Sequence, residues 1–367
     1  MILSSMRHRL LFLIAVTFSF FGPTPAMAQP SGAHGENFLY RVVAGDTLIH
    51  LAERFTDNES NWKTLQTLNS VLDPYQMGIG IELKIPFALI PELPSQAHVS
   101  HLAGLVHVDN KPISIDAQIA EGSKLRTSTH SFATLALADG SVLSVPAASS
   151  LQIERLRVFK GTGLIDTIFV IENGSLESNV APQKTGVGRF QVRTPISITG
   201  VRGTRLRVRV SEQGSQSEVL SGRAHLSSSQ ANDTSLRQGQ GAAITQDGQL
   251  LPVRPLLPAP QLPQAEQQGR GRSITFPAIP NADAYLVRVA SDAAGSNLVS
   301  SKIFNSPEIN FSAPGPGTYY AVVRAIDADG VMGHDAVLPF SGQSVLSSSD
   351  GSPVSSGHGQ FVRLTDF

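Results

Sequence analysis

The sequence predicts a mainly β, multidomain chain that carries one small α+β unit. Three observations point there. Charged residues make up only 16% of the chain, while 32 glycines and 23 prolines supply frequent turns, as short strands joined by tight loops require. Helical spacing of apolar residues is confined to one stretch near the N-terminus, and most of the remainder alternates with period two. A length of 367 residues suits two to three domains at roughly 150 residues each.

The first element is an export signal. Arg7, His8 and Arg9 precede an apolar run from Leu10 to Phe21, followed by Gly22-Pro23 and Ala26-Met27-Ala28 before Gln29. This charged, apolar, small-residue order predicts a cleaved secretory signal over 1–28. The run is shorter than the ~20 residues that span a bilayer, and no later segment comes closer. The expected mature chain is soluble, has no transmembrane segment, and is periplasmic or otherwise exported. The chain has no cysteine, which excludes lipid attachment at Cys, Cys metal ligands and a Cys nucleophile, and leaves each domain to stand on packing alone. Taking Arg7 and Arg9 from the 28 basic residues leaves 26 against 29 acidic ones, a net charge of −3, so bulk charge gives no attraction to nucleic acid.

The second element, 38–87, carries the helical pattern. Phe38, Tyr40 and Val42 alternate as a strand. Asp46 is the expected N-cap of a helix with Leu48, Leu51, Ala52 and Phe55 on one face. A second helix places Trp62, Leu65 and Leu68 together and ends near Asn69. Ile81, Leu83 and Ile85 alternate as a closing strand, ended by Pro86. The order is βααβ. Gly45-Asp46-Thr47-Leu48, Ala52, Phe55, Asn69, Leu83, Ile85 and Pro86 stand in the register of the LysM family, which the whole segment resembles. It departs from the family where "MGIGIELKIP" lacks the usual Pro-Gly before the last strand; Gly78 and Gly80 supply the turn instead. The resemblance implies binding of N-acetylglucosamine-containing glycans, peptidoglycan above all, in a shallow groove around Gly45, Asp46, Thr47, Leu48, Asn69 and Ser70. Helix capping alone also selects Asp46, Thr47 and Asn69.

A proline-spaced linker (Pro86, Pro91, Pro94) leads to the third element, an all-β region over 99–250. Asp139-Gly140 predicts a hairpin, since a tight primed turn needs positive φ. Asn173-Gly174 predicts a second, with Glu172 and Glu177 flanking it on the surface. The stretches "EGSKLRTSTHSFATLALADGSVLSVPAASSLQIE" and "FQVRTPISITGVRGTRLRV" resemble the FecR family, most specifically at Thr194, Pro195, Val201, Arg202, Gly203 and Thr204. Regulators of that family carry an anti-sigma segment and a membrane helix before this domain; neither is expected here, which argues against transmembrane signalling by this chain alone. Between Arg189 and Val210 stand six arginines and no acidic residue. Arg205, Arg207 and Arg209 share one strand face. With Arg193 they form a candidate stripe for a polyanion or an envelope partner, or else a solvated face balanced by neighbouring strands.

Leu251–Arg272 reads as a Pro/Gln-rich, semi-extended linker. The segment 273–342 resembles a fibronectin type III module through "ITFPAIPNADAYLVRVASD" and "GPGTYYAVVRAIDADGVMG", with Phe276 in the family's Trp position. Tyr319, Ala321, Val323 and Ala325 are expected inside this β-sandwich, and Arg324 outside. The Ser/Gly-rich tail, 343–367, reads as disordered.

The chain carries no catalytic elbow, zinc-protease, P-loop or dinucleotide motif. His98, His101 and His107 have only Asp109 nearby, too few ligands for a metal. The expectation is an exported, non-enzymatic envelope protein that needs no cofactor, binds peptidoglycan and presents its β domains to a partner. The alternative is a periplasmic sensor or regulatory subunit that signals to a membrane partner through the FecR-like region. A glycan-processing enzyme would need a carboxylate pair in a cleft.

Overall fold

The structure is a computed structural model that describes residues 30–34, 36–180, 187–201, 203–228, 233–268 and 271–342, with isolated positions 348, 352 and 354. The expected signal, Arg202 and most of the tail lie outside the described residues. The architecture is mainly β, with two short α-helices in the N-terminal unit. Among the described residues no helix is long and apolar enough to cross a membrane.

In the N-terminal unit the strand Asn37–Arg41 pairs antiparallel with Glu82–Pro86, placing Phe38 opposite Ile85 and Tyr40 opposite Leu83. Two helices, α1 (Leu48–Thr56) and α2 (Trp62–Asn69), lie between them, and Pro30–His34 adds an outer strand. The alternation of Phe38, Tyr40 and Val42 buries all three against Leu48, Leu51, Phe55 and Leu65. Each large side chain so buried contributes roughly 1.5–3 kcal/mol. The cap differs from expectation. Thr47, in extended conformation, accepts from His50 N at 3.2 Å and is the N-cap of α1. Asp46 is drawn backwards instead: its Oδ2 accepts from Tyr40 Oη and Val43 N, both at 2.8 Å.

The proline-spaced segment after this unit is ordered. Glu92–Pro94 adds to the strand Ser150–Phe159, Phe87 meets Phe159 with ring centroids 4.5 Å apart, and Ile90, Phe159 and Leu164 join the N-terminal core. Lys160 Nζ also reaches Asp57 at 2.5 Å.

The middle region is one network of 18 strands folded into two faces around a single apolar core. An outer sheet runs through Ser150–Phe159, Val187–Arg193, Ser197–Val201, Arg223–Ser228 and Thr234–Arg237. An inner sheet runs through Gln96–Ala103, Phe132–Ala136, Val142–Val145, Arg205–Ser211, Gly214–Ser221 and Gln240–Ile244. The strand Ile165–Asn179 belongs to both. Asp139-Gly140 makes the expected hairpin between Phe132–Ala136 and Val142–Val145. Asn173-Gly174 does not make one. It lies inside the continuous strand Ile165–Asn179, where Asn173 pairs with Ser150 in the outer sheet and Gly174 with Val210 in the inner. Gly174 has φ +82°, and a Cβ there would stand 2.3 Å from Ser149 Oγ; glycine lets the strand bend from one sheet to the other.

The C-terminal unit stacks a three-stranded sheet (Glu266–Gln268, Gly271–Thr275, Glu308–Phe311) on a four-stranded one. The latter is ordered Leu298–Phe304, Ala284–Ala290, Gly317–Ile326, Ala336–Gly342. Its first strand begins before residue 273, inside the segment read as a linker. The rest of that segment is pinned as well. Arg254–Pro255 pairs with Gln240–Gly241, Leu256 is buried with Ala243 and Val331, and Leu257 O accepts from His334 N at 2.8 Å. Phe276 and Tyr285 meet edge-to-face in the core, with Ala321, Val323 and Ala325, and Tyr319 packs at its margin.

Candidate functional site

Two surfaces hold the residues singled out by the sequence. The first is the loop end of the N-terminal unit. Leu48 N donates to Pro74 O at 2.9 Å, tying the Gly45–Leu48 loop to the chain after α2. Gly45 and Ser70 are exposed, Asp46, Thr47 and Asn69 half-buried, and Leu48 buried. The loop of predicted residues is therefore held against the segment that follows Ser70, with the Asp46, Thr47 and Asn69 side chains already engaged. Asn69 is engaged most fully: its Nδ2 donates to Leu65 O and Lys84 O at 2.9 Å, and its Oδ1 accepts from Lys84 N at 2.7 Å. Its side chain locks α2 to the last strand. Ser70 ends α2 in the left-handed region at φ 52°. Burial and the Asp46 carboxylate together push the Tyr40 phenol up.

Sequence reasoning missed the apolar part of this end. Leu72 is 98% exposed, Ile79 72% and Tyr75 66%, and Leu68 and Ile81 are exposed as well. Leu68 and Ile81 fit the helix and strand patterns of the sequence, but Ile81 precedes the strand Glu82–Pro86 and Leu68 is exposed on α2. Contiguous exposed apolar residues mark contact surfaces.

The second surface is the face of the inner sheet. Arg205, Arg207 and Arg209 do lie on one face, and the C-terminal unit covers it. Arg207 is buried, donating to Gly333 O at 2.9 Å and lying 3.4 Å from Asp335 Oδ2. Arg209 donates to Gly330 O at 2.5 Å, and Arg205 lies 3.6 Å from Asp335. The stripe thus faces a partner within the same chain, with Arg207 wholly buried there and Arg205 at the margin, its side chain 42% exposed. Arg193 belongs to the outer sheet and pairs with Glu154 at 2.6 Å.

At the centre of this seam sits Glu177, expected on the surface because its neighbours read as a turn. Its Oε1 accepts from Arg288 Nη1 at 2.7 Å and from Arg324 Nη1 at 2.8 Å. Arg324 points out of its own unit's core, as its alternation predicts, yet it is fully buried; Arg288 is 1% exposed. Asp335 Oδ1 lies 2.7 Å from Arg324 Nε, and Glu218 Oε1 accepts from Met332 N at 3.0 Å. Burial pushes the Glu177 and Asp335 carboxyls up, but the surrounding arginines outweigh it and hold both below the usual carboxylate range. Burial raises Glu218 and, with the Arg324 charge, lowers Arg207 to about 10. Apolar clusters flank the charges: Phe132, Ala290 and Leu298 at one side, Ala243, Leu256 and Val331 at the other. Thr134 and Ser144 both donate to Ser296 O, at 2.8 and 2.7 Å, and His101 Nε2 bonds Leu298 O at 2.9 Å.

Several cations of the outer sheet are paired. Lys124 meets Glu172, Arg155 meets Glu92 and Asp166, and Arg189 meets Asp166. An open hollow of about 440 Å³ beside it holds one carboxylate, Glu121. Arg157 clamps that carboxylate through two bonds of 2.7 and 2.9 Å and lowers it to about 2, so the hollow offers no pair of free carboxylates. The motif residues act in the backbone. Thr194 Oγ1 accepts from Ser197 N at 2.9 Å in a tight turn, and Thr204 Oγ1 donates to Arg223 O at 2.9 Å.

Comparison with known proteins bears on this middle region. Residues 123–225 match the model of the FecR protein family, a span that holds most of both sheets. Two crystal structures of a proposed anti-sigma factor from Parabacteroides distasonis ATCC 8503 are similar over 36% of this chain and 59% of theirs. Their identities are 15% and 16%, with TM-scores of 0.30 and 0.29, so the chain spans less than two thirds of the length of those chains. No curated protein matches.

Proposed function

We propose that this chain is an exported, non-enzymatic regulatory subunit of the cell envelope whose FecR-like region meets a membrane partner. The observation that carries this reading is the family match over residues 123–225, because that span holds most of the β body, whose inner sheet is covered by the C-terminal unit. The C-terminal unit, fibronectin-like in its strand pattern, acts as a fixed cover on the inner sheet. The test is affinity capture from detergent-solubilised envelopes of the source bacterium, with the full chain and with a version lacking 99–342. A protein with membrane-spanning segments held by the full chain alone supports the reading. Capture of the same proteins by both forms, or of none, counts against it.

A second role rests on a separate observation. The exposed Leu72, Tyr75 and Ile79 beside the Gly45–Leu48 loop supply an apolar floor with backbone polar groups at its edge, the chemistry that suits an N-acetylated sugar. In this reading the LysM-like unit holds peptidoglycan and positions the regulatory body near the sacculus. One shallow module binds weakly, on the order of micromolar to millimolar. Co-sedimentation with purified sacculi is expected for the full chain and is expected to be lost in a Leu72→Ser, Tyr75→Ser, Ile79→Ser variant. Equal sedimentation of both would remove the role of that surface.

A further inference from the structure

The strand Ser197–Val201 has a glycine at its centre on the open side of the outer sheet. Glycine inside a strand weakens it and marks a bulge or a place where another backbone approaches closely. Gly200 makes no bulge: it pairs in unbroken register with Gln191 on one side and His225 on the other. Its φ is not positive, and a Cβ built there meets nothing within 4 Å. Neither backbone geometry nor packing within this chain accounts for it. Its effect is a slot one side chain wide, walled by Gln191 and His225.

Beside the slot stand Arg223 and Arg237, exposed and directly opposite each other. Like charges so placed repel. Lys124, Arg155, Arg157, Arg189 and Arg193 of the same sheet each have a carboxylate partner, and Arg126 donates to Asn110 Oδ1 at 3.1 Å; among the described residues Arg223 and Arg237 have no carboxylate partner. Their position is held firmly. Thr204 Oγ1 bonds the Arg223 carbonyl, and the turn closes over Gly222, where a Cβ would stand 2.8 Å from Gly203 O. His225 Nδ1 lies 3.1 Å from Ser235 Oγ, which fixes its ring at the slot's edge.

We propose that this end of the outer sheet, Ser197–Val201, Arg223–Ser228 and Thr234–Arg237, docks an extended acidic segment of a protein partner. The segment's backbone passes over Gly200, and a carboxylate sits between the guanidiniums of Arg223 and Arg237. Two guanidiniums on one carboxylate give strong, charge-assisted bonds. A polypeptide backbone is flat enough to use the slot. The chain carries a net negative charge, so attraction of an acidic segment has to be local. The proposal depends on the regulatory reading only for the identity of the protein that carries the segment.

The test uses the purified full chain and fluorescent poly-L-glutamate at low salt, with anionic phosphatidylglycerol vesicles and polyphosphate as comparison arms. Arg223→Ser with Arg237→Ser is expected to weaken polyglutamate binding about tenfold or more. Gly200→Val changes no charge and suits a strand; it is expected to weaken binding severalfold while leaving the unfolding temperature equal or higher. Binding unchanged in either variant overturns the proposal, as does no binding by the unaltered chain, or binding of vesicles or polyphosphate in place of polyglutamate. Because this assay needs no native partner, its failure is separable from failure of the capture experiment.

Discussion

Glu177 shows what a single residue does in this molecule. Its carboxylate is the shared anion between Arg288 and Arg324, two guanidiniums with no access to water. Removing one member of a buried charge pair leaves the others uncompensated, at a cost of about 3–5 kcal/mol. Glu177→Ala is therefore expected to lose stability in that range by urea denaturation; a loss below 1 kcal/mol would mean that water already reaches the seam. The sequence hid this role for a physical reason. Asn-Gly beside Glu177 has the composition of a hairpin turn, and turn-flanking glutamates are normally solvated. The alternation of Arg205, Arg207 and Arg209, and the outward side of Arg324, were legible. What covers those faces was not, because period-two alternation reports a side of a sheet and carries no information about a second sheet far along the chain. At the N-terminal unit, the Gly45–Leu48 loop is tied to the chain after α2 through Pro74, although the cap fell to Thr47 once Tyr40 and Val43 engaged Asp46.

Between elements, the decisive objects are the bent strand and the ionic seam. The strand Ile165–Asn179 passes between sheets only because Gly174 adopts φ +82° within reach of Ser149. Gly174→Ala adds both backbone strain and a clash, and is expected to destabilise by more than about 1 kcal/mol, read as a lowered denaturation midpoint. The seam should also be acid-sensitive. Glu177 and Asp335 have folded-state values below their ordinary 4.5 and 3.8. Their contribution is thus fully present above those values and is lost as pH falls through the folded ones. Glu218 is raised and contributes in the opposite sense, its stabilisation present at low pH and lost as pH rises through its folded value. Two depressed groups against one raised group give a net loss in acid. The denaturation midpoint is expected to fall as pH drops below about 4.5, and to fall less in Glu177→Gln; an equal fall in both would place the acid response elsewhere. The short strands and both helices were legible from periodicity. The segment read as a linker was not, because its prolines mask residues such as Leu256 that bury between the two units.

At the scale of the whole molecule, the N-terminal unit, the β body and its C-terminal cover form a continuous path of packed contacts. Phe87–Phe159 joins the first two, and the Glu177 network joins the last two. The inner sheet is spent on this internal contact, so a partner of the FecR-like region has the outer sheet left to meet. The most direct measurement is in-cell photo-crosslinking with a photoreactive residue placed at Gln191 on the outer sheet, at Ser144 in the seam, and at Leu72 in the N-terminal unit. The account predicts an adduct with a membrane-spanning protein from Gln191, links within the chain from Ser144, and sacculus-associated material from Leu72. A membrane-protein adduct from Ser144 with none from Gln191 would contradict it, because the seam would then be an open receiving surface and the outer sheet would not be.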